Sequence, residues 1–143
     1  AVGMKRSVVK LTENKIAKKL ERWQKIIKEA AEQSYRLAIP TIQYQATLND
    51  VLKSTKTYDY ILIAYEDAAK SGEVSQFKSL VQQFKPNDKV LIIFGPEGGL
   101  DEDEVSLLQD VGYQIGLGPR ILRAETAPLY VLSALSFEKD LHN

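Results

Sequence analysis

The sequence predicts an α/β fold, a mainly parallel sheet with helices on both faces. Two runs, Tyr60–Tyr65 and Val90–Phe94, are almost continuously apolar, as strands buried on both faces are. Strand-like and helix-like segments alternate through the second half of the chain. Two glycine-containing loops, Gly95–Leu100 and Gly116–Ala127, each follow a strand-like run and lead into a helix.

The elements follow in order. Thr12 to Ser34 reads as one amphipathic helix, because Ile16, Leu20, Trp23, Ile27 and Ala30 recur at spacings of four and three. Thr12 is placed to cap it, and Trp23, on the apolar face, reads as core rather than as a base-stacking platform. Ile39-Pro40 stops helical propagation, since the residue before proline avoids the helical region. Ile42, Tyr44 and Ala46 alternate as in a short strand. Thr47–Asp50 resembles a capping box that opens a short helix through Leu52. After the first buried strand, Val74, Phe77, Leu80, Val81 and Phe84 mark a helix, with Pro86-Asn87-Asp88 as its turn. After the second, Asp101 and Glu104 cap a helix whose apolar positions are Val105, Leu108 and Val111, and Gly112 ends it. Tyr113–Leu117 is a short strand. Glu125–Leu141 is the last helix, with Pro128 in the first turn, where proline is tolerated. No repeat, low-complexity stretch or linker interrupts the chain, so 1–143 reads as a single domain.

Composition excludes several classes of chemistry. The 143 residues include no cysteine, which removes disulfides, thiolate metal sites and cysteine nucleophiles and fits a reducing, cytoplasmic compartment. The one histidine, His142, lies beside the C-terminus, which disfavours a Ser-His-Asp arrangement and a zinc site. No apolar run reaches the roughly 20 residues of a membrane span, and no secretory signal is visible. Lysine and arginine balance aspartate and glutamate at 19 each, but unevenly: residues 1–39 hold 10 cations and 4 carboxylates, and residues 40–143 hold 9 and 15. A basic N-terminal segment suits RNA phosphates, or is a solvated lysine face.

Ligands of parallel α/β sheets bind beyond the carboxyl ends of the strands, where both glycine loops fall. Gly95, Gly98 and Gly99 remove side chains where a ligand or another backbone approaches closely, and they permit positive φ. The loop lacks the lysine and hydroxyl residue of a Walker loop, and its glycine spacing differs from the dinucleotide fingerprint. In the second loop, Arg120 and Arg123 bracket Ile121-Leu122, with Glu125 two residues on. An apolar pair between arginines suits a wall that touches a flat adenine and offers guanidinium groups to phosphate or base. The alternative is an Arg123–Glu125 pair that only orders the turn. The acidic run Asp101–Glu104 reads as carboxylates that complement a helix dipole rather than as a catalytic cluster.

Gly95-Pro96-Glu97-Gly98-Gly99, followed by Leu117-Gly118, Arg120-Ile121-Leu122-Arg123 and Glu125-Thr126-Ala127, closely resembles the pattern of the RsmE family of SPOUT methyltransferases. Arg6–Lys10, Arg22-Trp23, Glu29–Ser34 and the placing of Pro40 resemble it too, so the likeness spans nearly the whole chain. The resemblance implies S-adenosylmethionine as cofactor, bound in a C-terminal trefoil knot, and methylation of a uridine at N3 in small-subunit (16S) ribosomal RNA. It implies a homodimer and no metal or membrane. Carried over residue by residue, the cofactor site comprises Ala64, Tyr65, Glu66, Phe94, Gly95, Gly98, Gly99, Leu117, Gly118, Ile121, Leu122, Thr126 and Ala127. Arg123 is the candidate for stabilising the uracil anion or orienting the base. Glu97 is the acidic candidate, whereas Glu125 suits a structural role at a helix start. Arg6, Arg36 and Arg120 are the RNA-contact candidates. The family's N-terminal PUA-like RNA-binding domain and the first strand and helix of its methyltransferase domain have no counterpart in this sequence, which reads as N-terminally truncated. Of the family's arginine-rich stretch after Gln33-Ser34, only Arg36 remains. Two other readings stand beside this one: a knotted RNA methyltransferase acting on a ribose 2′-hydroxyl, and a non-catalytic RNA-binding or dimerisation module.

Overall fold

A computed structural model of the chain describes residues 1–8, 11–65 and 75–141. In chain order these form α1 (Glu13–Gln33), α2 (Leu48–Leu52), a 3-10 turn (Thr55–Thr57), β1 (Tyr60–Ala64), α3 (Gln76–Gln83), β2 (Val90–Phe94), α4 (Glu102–Gln109), β3 (Tyr113–Ile115) and α5 (Thr126–Asp140). The three strands form one sheet in the order β2-β1-β3, and both pairings are parallel. Ala64 stands opposite Phe94 on one side and Ile115 on the other, so the strands end level at their carboxyl edge.

Alternation along the central strand divides the core in two. Ile61 and Ile63 pack with Ile93, Leu100, Met4, Leu48 of α2, and Val105 and Leu108 of α4. Leu62 faces the other way and packs with Ile115, with Phe77, Leu80 and Val81 of α3, and with Val131 of α5. Helices therefore cover both faces of the sheet. Leu62, Ile63, Leu108, Ile115 and Val131 are wholly buried, and such burial contributes about 1.5–3 kcal/mol per large side chain. Lys139 donates from Nζ to the Phe84 carbonyl at 2.9 Å, and the Phe84 ring packs on Tyr60 with centroids 4.6 Å apart. These contacts tie α5 to the end of α3 and the start of β1.

Gly112 does more than end α4. Its φ is not positive, and a Cβ there would lie 2.7 Å from the Ile61 carbonyl oxygen and 2.8 Å from Ile61 Cγ2. Its lack of a side chain lets the α4–β3 connection lie directly on β1.

Two expectations change. The alternation at Ile42, Tyr44 and Ala46 does not build a strand of the sheet. Among the described residues its ladder partner is Ala1–Gly3, through one parallel bridge between Val2 and Gln45, with Gly3 N donating to Gln45 O and Gln45 N to Ala1 O. On α1 the buried alanine is Ala31 rather than Ala30, and Ile16, Leu20, Trp23 and Ile27 are only half-buried. Thr12 occupies the N-cap position of α1 in an extended conformation but makes no side-chain capping bond. Gln24 anchors the chain that returns along α1, donating to Pro40 O at 2.9 Å and accepting from Ile42 N at 3.2 Å.

The C-terminal end of α1 is a Schellman turn. Arg36 N donates to Ala31 O at 2.9 Å and Tyr35 N to Glu32 O at 3.2 Å, with Tyr35 at φ 55°. Val74 and His142 lie outside the described residues.

Candidate functional site

The level carboxyl edge of the sheet opens into a cleft of about 810 Å³, within the size range of small-molecule and cofactor sites. Its floor comes from the strand ends Ala64, Tyr65 and Phe94. One wall is the Gly95–Leu100 loop, and the other is the run from Leu117 to Glu125, continued by Ala127. Two loops separated by α4 and β3 in sequence thus meet over one cavity.

The first loop is a tight turn closed by Gly99 N donating to Pro96 O at 2.8 Å. Gly99 takes φ 73°, a region that favours glycine, and a Cβ there would meet nothing within 4 Å. Gly98 is glycine for another reason: its Cβ would lie 3.0 Å from both Cβ and the carbonyl oxygen of Arg6. The Met4–Ser7 turn leans directly on this loop. Gly118, at φ 92°, makes the corresponding bend in the second loop.

A carboxylate holds the Met4–Ser7 turn in place. Glu104 is 4% exposed. Its Oε1 accepts from Lys5 N and its Oε2 from Asp101 N, each at 2.9 Å. Asp101 in turn accepts from Asp103 N, which completes a capping box at the start of α4. The acidic run is therefore structural, as its helix-start position suggests. Lys5 Nζ reaches Asp101 at 3.0 Å and also contacts Asp103. The hydrogen bond from Lys5 holds the Asp101 carboxyl below its ordinary 3.8, and the bonds to Asp103 and then Asp101 hold the Lys5 ammonium above its ordinary 10.5.

Arg6 lines the cleft, with a long 3.5 Å contact from its guanidinium to Gly98 O and a 3.7 Å pairing with Asp101. Arg120 and Arg123 line the opposite side, and Glu97 lies on the first loop. Arg123 pairs with Glu125 at 3.8 Å, but both side chains are largely in solvent, at 85% and 69% exposure. Such a pair contributes little and leaves the guanidinium available. Ile121 is exposed and Leu122 half-buried, so the apolar pair between the arginines sits at the rim.

Of the cofactor-site candidates, Ala64, Tyr65, Phe94, Gly95, Gly98, Gly99, Leu117, Gly118, Ile121, Leu122 and Ala127 share the cleft. Thr126 does not line it. It opens α5, and its N–H is taken by Arg123 O at 2.9 Å. Arg36 also lies off the cleft, at the end of α1, and Glu66 is outside the described residues. Pro96, Leu100, Pro119, Ala124 and Glu125 also line the cavity and lie within or beside the glycine-loop motifs, whereas Glu102 reaches it from the first turn of α4, a position to which the sequence assigns only a helix-start role. No cluster of metal-ligating side chains occurs among the described residues. None of their helices is long and apolar enough to cross a membrane.

A parallel α/β sheet with two glycine loops closing over its carboxyl edge defines a small-molecule-binding class of protein, and comparison with known proteins gives the family. The RNA methyltransferase domain family matches residues 1–136, and the chain belongs to it. Within that family its relatives are RsmE proteins. Ribosomal RNA small subunit methyltransferase E of Bacillus subtilis is 50% identical over 137 residues, covering 95% of this chain and 54% of that protein. The protein of the same name from Mesomycoplasma hyopneumoniae is 36% identical over 119 residues, covering 82% and 48%. Among solved structures, ribosomal RNA small subunit methyltransferase E of Neisseria gonorrhoeae, bound to S-adenosyl methionine, superposes with a TM-score of 0.70 at 30% identity, covering 94% of this chain and 52% of that one. The chain spans about half the length of the curated relatives it matches.

Proposed function

We propose that residues 1–143 form a methyltransferase domain that binds S-adenosylmethionine and, as part of a cytoplasmic enzyme, methylates N3 of a uridine in small-subunit (16S) ribosomal RNA. The observation that carries this reading is the meeting of the Gly95–Leu100 and Leu117–Ala127 loops over one cleft at the level end of the sheet. The knot implied by the resemblance would involve these same two loops and α5.

The residues present fit the cofactor. Phe94, Leu117 and Leu122 give apolar surface for an adenine, and the bare backbone of Gly99, where a Cβ would meet nothing within 4 Å, lets a ligand lie close. Bound S-adenosylmethionine supplies an electrophilic methyl group on a sulfonium. The chain's own contribution is to position the base and manage the N3 proton. Arg123, exposed on the cleft wall, offers a cation to the uracil as N3 is deprotonated, and preorganised charge of this kind is worth most where water is excluded. Glu97, on the opposite loop, is the carboxylate on that loop able to accept the proton. Arg6 and Arg120 flank the cleft with further positive charge for phosphates.

The same reading includes a homodimer. Helix α5 buries Val131 yet leaves Leu129 and Leu132 about two-thirds exposed, an apolar surface suited to a second copy. Sedimentation of the parent and of a Leu132→Glu variant tests this, and a parent that is monomeric at micromolar concentration would remove it.

The decisive experiment is calorimetric titration with S-adenosylmethionine, alongside Gly98→Val. Saturable binding that is lost in a folded Gly98→Val variant supports the reading. A folded parent that fails to bind, in this chain and in one of the relatives' full length, sinks it. Product analysis on ribosomal RNA then separates base N3 from ribose 2′-hydroxyl methylation.

A further inference from the structure

We propose that Arg6 and Glu102, on the same wall of the cleft, form a subsite for an α-amino-acid zwitterion: the guanidinium takes the ligand's carboxylate and the Glu102 carboxylate takes its ammonium. The proposal rests on the cofactor reading above and deepens it, by naming what holds the amino-acid end of S-adenosylmethionine.

The first observation is a division of labour within the acidic run Asp101–Glu104. Asp101 accepts from Asp103 N and from Lys5 Nζ, and Asp103 contacts Lys5. Glu104 accepts two backbone N–H groups. These three side chains build the cap and hold the Met4–Ser7 turn. The Glu102 side chain has no hydrogen bond or ion pair among the described residues; only its backbone carbonyl is used, by Ser106 Oγ. It is exposed, and it is the member of the run that lines the cleft. The carboxylate that the fold does not use is therefore the one that reaches the cavity.

The second observation is a cation on the same wall that is only loosely held. The Arg6 guanidinium lies 3.5 Å from Gly98 O and 3.7 Å from Asp101, both longer than an ordinary N–H···O bond of about 2.7–3.2 Å. Its side chain is 48% exposed, against 85% for Arg123 on the other wall. Arg6 and Glu102 both line the cavity, yet they are not ion-paired with each other. Opposite charges held near one another without cancelling match a ligand that carries both signs. A phosphate alone would meet the Glu102 charge, and an apolar ligand would strip water from both groups without replacing it.

The third observation is that one buried group sets the backbone under both charges. Glu104 Oε1 accepts from Lys5 N, the residue before Arg6, and Oε2 accepts from Asp101 N, the residue before Glu102. The Arg6 backbone also rests on Gly98, where a Cβ would lie 3.0 Å from its carbonyl oxygen. Charges mounted in this way are placed before the ligand arrives, which lowers the cost of binding. Glu104 is thus a positioning residue for the subsite. A guanidinium has five N–H donors, so a carboxylate held by two of them leaves others for a phosphate. Glu97, on the same wall, stays available to the N3 proton.

The test is calorimetric titration with three probes, in this chain and in one of the relatives' full length, with thermal unfolding in parallel. S-Adenosylmethionine and S-adenosylhomocysteine carry the zwitterion, and 5′-methylthioadenosine lacks it. Arg6→Gln and Glu102→Gln are each expected to weaken both zwitterionic probes by about 5- to 30-fold, the loss of one charge-assisted hydrogen bond at a solvent-exposed site. Methylthioadenosine should stay within about twofold. Glu104→Gln, which loosens both anchors, should weaken S-adenosylmethionine more than methylthioadenosine. A purely structural role would lower all three affinities together, and that result overturns the proposal. So does a parent that binds methylthioadenosine as tightly as S-adenosylmethionine. An effect of Glu102→Gln on S-adenosylmethionine alone would put the carboxylate against the sulfonium and overturn it too. If the parent binds S-adenosylmethionine and the variants bind it equally well, the subsite falls and the cofactor reading stands. If neither length of the folded parent binds any probe, both fall.

Discussion

Replacing Glu104 by Ala removes a buried acceptor that serves two pieces of backbone. One carboxylate oxygen takes Lys5 N and the other takes Asp101 N, both at 2.9 Å, in a side chain that is 4% exposed. Hydrogen bonds to charged groups contribute about 1.5–3 kcal/mol each, and losing a capping acceptor alone costs about 1 kcal/mol. The two bonds share one group and are not additive, so the expected loss is about 2–4 kcal/mol. For a chain of this length that lowers Tm by about 7–13 °C. Urea denaturation should show the midpoint falling with the m-value unchanged. Glu104→Gln keeps one acceptor oxygen and turns an amide toward the other N–H, so it should lose about half as much. The effect should also reach the cleft, because Asp101 directly follows the Gly95–Leu100 wall and the Lys5 bond seats the turn on which Gly98 leans. A weaker cofactor affinity in Glu104→Gln is therefore expected even though Glu104 itself does not line the cavity. A loss below about 1 kcal/mol in Glu104→Ala, or equal losses in the two variants, would refute this account of the clip.

Three further outcomes are expected. Gly112→Ala should destabilise the fold by about 1–3 kcal/mol in chemical denaturation, because the new methyl would meet Ile61 at 2.7–2.8 Å in the core. Arg123→Ala in a full-length enzyme should lower turnover by about 100-fold or more, with Tm and cofactor affinity retained, since its pair with Glu125 is exposed; unchanged turnover would remove Arg123 from the mechanism. The Lys5–Asp101 contact should respond to pH at both ends. Asp101 is held below its ordinary value of 3.8, so its contribution is complete above that pH and lost as pH falls further. Lys5 is held above 10.5, so its contribution is complete below that pH and lost as pH rises. The protection factor of the Lys5 amide, taken against its intrinsic exchange rate at each pH, should fall as pH drops below 3.8 while the β1 amides stay protected, and high salt should shrink the difference.

What could be read from the sequence was local. The two buried strands showed as apolar runs because a strand covered on both faces has no polar side to display. The capping box at Asp101 and Glu104 and the glycine loops were legible because their spacing is short. What could not be read depends on distant parts of the chain. Glu104 looked like a cap and is one, but its second bond reaches Lys5, 99 positions away. Gly112 looked like a helix terminator, whereas its close contact is with Ile61 on the neighbouring strand. The alternation at 42–46 gave the right backbone shape but could not reveal how short its partner is. Tyr35 fell in a stretch read only for its arginine, because a left-handed tyrosine has no signature in composition.

The level ending of β1, β2 and β3 has a consequence for how such a protein can change. The two loops that follow β2 and β3 leave the sheet at one height and act as lips of a single opening. Lengthening either of them reshapes the opening without disturbing the two apolar layers beneath, since the paired residues Ala64, Phe94 and Ile115 stay where they are. The sheet and the rim can thus be altered independently, and a designer seeking a new guest can treat the loops as exchangeable parts on a fixed mount.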